Sequence, residues 1–154
     1  GTVEAIGWDF GQVAEGAPND YMIADRLVGG TTFSVTLNWF MDAGFDELNQ
    51  VPTFESLDNL DLQVWEMLDG GGSTLIAQSI SYYNNVEHLH FTLPHDGNYM
   101  LRVLWTGELF DFFADANSEV YGLAWSGVAV PAPSTLFAAL GLSLLGGTRR
   151  RRSA

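Results

Sequence analysis

At 154 residues the chain has room for one domain of ordinary size, and with no cysteine it excludes disulfides, thiolate metal sites and a cysteine nucleophile. Its formal charge is −13, but four of its six basic residues are Arg149, Arg150, Arg151 and Arg152, so residues 1–148 set only Arg26 and Arg102 against all 19 acidic side chains, a formal −17. Such a body repels phosphate backbones and anionic lipid, which excludes nucleic acid as a partner and suits either a salty setting or the collection of divalent cations.

Alternation of apolar and polar residues predicts most elements. Weak strands are expected near Ala5–Trp8 and Asp20–Ala24. Thr32–Phe40 then puts Phe33, Val35, Leu37 and Trp39 on one face. Met41–Ser56 has no clear period and reads as a long acidic, aromatic loop. Leu60, Leu62 and Val64 alternate with Asp61 and Gln63, and Thr74–Ser79 is another weak strand. Leu89, Phe91 and Leu93 form the next apolar face, followed by Tyr99, Leu101, Val103 and Trp105. Thr106–Ser118 reads as a second loop, and Tyr121, Leu123 and Trp125 close the series. Turn signals at Gly29-Gly30, Asp69–Gly72, Asn84-Asn85 and Pro94–Gly97 separate these runs. The expectation is all-β: an antiparallel sandwich or jelly roll of about eight strands over residues 1–127, followed by a C-terminal hydrophobic helix.

Residues 128–154 have a different composition. Val130, Pro131, Ala132, Pro133, Ser134 and Thr135 make a hinge whose prolines oppose regular structure. Residues 136–147 are apolar and uncharged, and Arg149–Arg152 form a basic stop that fixes orientation across a membrane. The apolar stretch is shorter than the roughly 20 residues that span a bilayer core. This tripartite pattern resembles the PEP-CTERM protein-sorting signal of Gram-negative bacteria, whose hinge reads V-P-E-P-S-T; Ala132 stands where that family has Glu. The resemblance implies export, an exosortase-type processing protease as partner, anchoring in the inner membrane, and delivery to the cell surface or beyond. Gly1-Thr-Val-Glu4 shows no export signal, so the chain reads as the C-terminal piece of a longer precursor.

Three segments of the body carry a second resemblance. Leu57–Leu62, Asn84–Leu89 and Gly97–Val103 are similar to the C-terminal β-barrel domain of some secreted subtilisin-like proteases, and more loosely to bacterial pre-peptidase C-terminal domains. Tyr121–Trp125 resembles the last strand of that domain, and Gly7-Trp8-Asp9 and Leu37-Asn38-Trp39 fit versions of it found in PEP-CTERM proteins. The resemblance implies a non-catalytic accessory module, with any protease in an upstream domain of the same precursor. It also implies calcium: Asp58, Asp61, Asn85 and Glu87 offer hard oxygen ligands in segments that the family brings together.

The residues themselves assemble no catalytic set. No serine sits in a G-x-S-x-G elbow, and three histidines give little choice of base. His88 and His90 share a strand face and offer a metal pair that lacks further ligands, while His95 falls in a turn. Trp65, Tyr82 and Tyr83 drop out of the inward alternation and could stack on sugars. Two functions follow as expectations: an exported, membrane-anchored accessory domain that is not an enzyme, or a free-standing surface or matrix protein that binds carbohydrate.

Overall fold

The computed structural model describes residues 1–111 and 117–132. Ten strands are present: β1 (Thr2–Val3), β2 (Ile6–Ala14), β3 (Asn19–Ile23), β4 (Thr32–Trp39), β5 (Asp42–Asp46), β6 (Val51–Met67), β7 (Ser73–Ser79), β8 (Val86–Thr92), β9 (Asn98–Asp111) and β10 (Ser118–Ser126). They form two sheets. One runs β1-β3-β9-β6-β5, with β7 also paired to β6; the other runs β2-β10-β4-β8. Every pairing is antiparallel except β1 with β3. The expected sandwich is therefore present, with two more strands than the alternation showed. The expected helix at 136–147 lies outside the described residues, and no helix among the described residues is long and apolar enough to cross a membrane.

The core forms where the alternating rows meet. Leu60, Leu62 and Val64 of β6 lie beside Tyr99, Leu101 and Val103 of β9, facing Phe33, Val35, Leu37 and Trp39 of β4 and Tyr121, Leu123 and Trp125 of β10. All are buried. Each such side chain contributes about 1.5–3 kcal/mol by leaving water, which is ample reason for the two sheets to close on each other.

Both expected loops turn out to hold strand. Residues 42–46 and 51–56 form a hairpin, closed by Asp46, whose carboxylate accepts from the Leu48 and Asn49 amides and the Asn49 side chain. Ala43 and Phe45 of this hairpin are exposed, so no core face imposed an alternation that could be read. In β9 the ladder with β6 slips twice, between Leu57/Asp58 and between Asn59/Leu60, near Gly107 with φ +149°. A bulge of that kind breaks the period of two while the pairing continues to Asp111.

The tail joins this body firmly. Gly127 N–H donates to Ala5 C=O, Val28 N–H to Val128 C=O, and Val130 N–H to Arg26 C=O, while Ala129 packs against the core. Backbone hydrogen bonding to the body thus continues through Val130, and Pro131 and Ala132 are exposed. Pro133, Ser134, Thr135 and Arg149–Arg152 lie outside the described residues.

Candidate ligand-binding face

The four proposed calcium ligands do not meet. Asp58 lies inside β6, where its carboxylate turns inward and accepts from Trp105 Nε1 at 2.7 Å, and its carbonyl accepts from Trp39 Nε1. Asp61 turns to the opposite face with Asn59; Thr106 Oγ1 accepts from Asn59 and approaches Asp61 at 3.4 Å. Burial pushes the Asp61 carboxyl above its ordinary range. Glu87 points between the sheets beside Leu37, where its carboxylate accepts from the Ser79 hydroxyl and the Ser81 amide. Burial raises its carboxyl too, against those two hydrogen bonds, with a smaller push from Asp61. Asn85 spends its side-chain amide on the Trp39 carbonyl. Among the described residues there is no group of three or more His, Asp or Glu that could hold a metal. His88 and His90 stack with ring centroids 6.3 Å apart and have no third ligand of that kind near them.

The aromatics expected on the surface divide. Trp65 faces outward but lies under the Arg102 guanidinium, 5.7 Å from its ring, and Arg102 is itself held by Asp20 at 2.6 Å. Tyr82 and Tyr83 are exposed and pack edge to face in the β7–β8 connection.

A larger exposed set was not expected. β2 is turned so that Gly7, Asp9 and Gly11 lie on its inner side, Asp9 remaining exposed at the sheet edge, while Ile6, Trp8 and Phe10 lie on the outer side, 66%, 80% and 63% exposed. The cause lies on β10. The Trp125 ring would come within 2.6 Å of a β-carbon at Gly7, and the Tyr121 hydroxyl within 2.8 Å of one at Gly11. Two large inward side chains from the neighbouring strand thus fill the space under β2, and only glycine fits on its inner side. The large residues of β2 must point out. The signal was present in Ile6-Gly-Trp-Asp-Phe-Gly11: glycines at alternate positions opposite bulky ones.

Register extends this ridge across the sheet. Trp8 lies beside Ala124, Thr36 and His88; Phe10 beside Gly122, Asn38 and Val86; Ile6 beside Ser126, Ser34 and His90. The outer face is thus an apolar ridge on β2, a floor of small residues on β10, and rows of hydroxyl, amide and imidazole groups on β4 and β8. Asn38 reaches over Gly122, its Oδ1 2.8 Å from where a β-carbon would stand, and Thr36 Oγ1 pairs with His88 Nδ1 at 2.8 Å. No outward residue of these four strands is Asp, Glu or Arg. In a body with 19 acidic side chains, that absence marks the face out.

Fold and face together define a two-sheet β-sandwich carrying an uncharged, aromatic-edged outer surface. No protein-family model matches the chain, and no curated protein sequence does. Among solved structures it is similar to the Yersinia pseudotuberculosis-derived mitogen, at 10% identity and a TM-score of 0.51, over 86% of this chain and 93% of that one. It is also similar to Aeromonas hydrophila PliG, a periplasmic lysozyme inhibitor of g-type lysozyme, at 14% identity and a TM-score of 0.46, over 82% and 93% of the two chains. The first likeness supports the sandwich fold and nothing finer.

Proposed function

We propose that this chain is a non-catalytic, exported binding domain held at the cell envelope by its C-terminal segment, and that the outer face of β2-β10-β4-β8 binds a neutral polysaccharide. The observation that carries the reading is the absence of any carboxylate or guanidinium from that face in so acidic a body. A neutral polymer meets no repulsion there, whereas an acidic one would be held off by the field of the surrounding molecule. Trp8 and Phe10 offer flat apolar area to the C–H faces of sugar rings, and Ser34, Thr36, Asn38 and the histidines offer uncharged donors and acceptors to their hydroxyls. Exposed apolar ground rimmed by polar groups is a common mark of a binding surface.

The tail's hinge, apolar run and basic block support sorting by an exosortase-type protease and transient anchoring in the inner membrane, ahead of display at the cell surface or release. With the body bonded through Val130, Pro131 and Ala132 are exposed to such an enzyme. In a precursor carrying a subtilisin-like protease upstream, the domain would hold that enzyme on its polymer. Native electrophoresis through gels containing neutral glucans, chitin-type polymer or alginate tests the binding. At least one neutral polymer should retard the chain while alginate does not; migration unchanged by every neutral polymer would defeat the proposal.

A further inference from the structure

We propose that two copies of this chain pair edge to edge through β2, joining their four-stranded sheets into one of eight strands. β2 is the outer strand of its sheet and pairs only with β10 among the described residues. The ladder to β10 uses its odd-numbered residues. Flanking it, Gly127 N–H donates to Ala5 C=O and Glu15 N–H to Asn117 C=O, which fixes that parity. The backbone groups of Ile6, Trp8, Phe10 and Gln12 therefore point to the open edge. The Gln12 carbonyl is covered by Asn19 Nδ2 at 2.7 Å, which leaves Ile6, Trp8 and Phe10 as an open template. Exposed edges are normally blunted by lysine, proline or a bulge. β2 has no lysine, proline or bulge, its register with β10 running without a break from Ile6 to Ala14, and its one blunting feature is the inward-turned Asp9.

A second copy is the occupant that the sequence of this edge fits. An antiparallel pair centred on Trp8 is two-fold symmetric and places Trp8 opposite Trp8 of the other copy, and Ile6 opposite Phe10, all large and apolar. Asp9 then lies opposite Gly7, so no carboxylate faces another, whereas a pair centred on Asp9 would set the two carboxylates opposite each other. The uncharged outer face beside this edge is also where two strongly acidic bodies approach at least electrostatic cost. The inference is independent of what the face binds, since edge pairing leaves the Trp8 and Phe10 side chains on the outer surface.

The cysteine-free chain allows a direct test. In a symmetric pair the two Trp8 Cα atoms stand about 5.5 Å apart, within disulfide reach, while the two Ile6 Cα atoms lie four residues apart along the strands, about 13 Å. The full chain in mild detergent, bearing W8C, I6C or the double change I6C/F10C, is oxidised and run on a non-reducing gel. W8C and I6C/F10C should cross-link at least about tenfold faster than I6C, the rate ratio that register-specific contact would give over random collision. Equal rates for W8C and I6C, or no cross-linking of W8C and I6C/F10C, would overturn the pairing. All three sites are exposed, so folding of the variants does not limit the test.

Discussion

The hydroxyls of Tyr21 and Tyr121 meet at 2.7 Å across the interior, one from each sheet, and Asn19 Nδ2 donates to the Tyr121 hydroxyl at the same distance. Burial, with the Tyr121 and Asp9 partners, pushes the Tyr21 hydroxyl far above its ordinary range. The pair stitches the sheets beside the edge strand β2, where the inward glycines leave little apolar surface. Tyr121→Phe removes the hydrogen bonds to Tyr21 and Asn19, which keep Asp9 and the Gln12 carbonyl as partners, and should cost about 0.5–1.5 kcal/mol in urea unfolding. Tyr21→Phe combined with it should cost less than the sum of the single changes, because both changes remove the same hydrogen bond. Strict additivity would mean the bond contributes nothing.

Gly7 is where β2 is forced to show its large residues outward. Gly7→Ala would drive a methyl against Trp125, which is held by its indole N–H on the Glu4 carbonyl. Overpacking of this kind should lower stability by about 1–3 kcal/mol, measured by thermal or urea unfolding. Gly1→Ala, with nothing within 4 Å, serves as the control and should change little.

Where a strand has one face in the core, the sequence showed it: Phe33 to Trp39, Leu60 to Val64, Leu89 to Phe91, Tyr99 to Trp105 and Tyr121 to Trp125 all lie in strands, as their alternation implied, while Leu93 is buried just past the end of β8. It failed for physical reasons elsewhere. β5 buries no apolar row, and the slips near Gly107 reset the period of β9. The exposed outer ridge of β2 was hidden because its dominant residues obey a constraint imposed from β10, a strand more than a hundred residues away. Opposite orientations of Asp58 and Asp61 follow from simple alternation, whereas their grouping with Asn85 and Glu87 came only from the family resemblance.

Glu87 gives a pH signature. Its carboxyl, like that of Asp61, is raised in the folded chain mainly by burial, so the fold binds a proton there more tightly than the unfolded chain does. The stability from these protons is full below the ordinary carboxylate range and is lost as pH rises through the raised folded values. Urea midpoints should therefore rise as pH falls from neutral toward 5. Glu87→Gln keeps the shape and removes the charge, so it should raise the neutral-pH midpoint and flatten the profile. A variant profile as steep as the parent's would contradict this assignment.

Truncation separates body from tail. A chain ending at Ala132 should keep the parent's melting temperature and leave the membrane fraction. One ending at Gly127 loses the bonds of Val128 and Val130 and the packing of Ala129, and should be less stable by about 1–3 kcal/mol. Membrane retention of the chain ending at Ala132 would refute anchoring by the tail.

The most direct test of the central claim compares aromatic removals on a retarding neutral polymer. Trp8→Ala and Phe10→Ala should each weaken binding at least about tenfold, some 1.4 kcal/mol, with little loss of stability because both side chains are exposed. Tyr82→Ala with Tyr83→Ala, on the β7–β8 connection, should leave affinity within about twofold, less than 0.5 kcal/mol. If binding survives loss of Trp8 and Phe10 and disappears with the tyrosine pair, the outer face of β2-β10-β4-β8 is not the binding site.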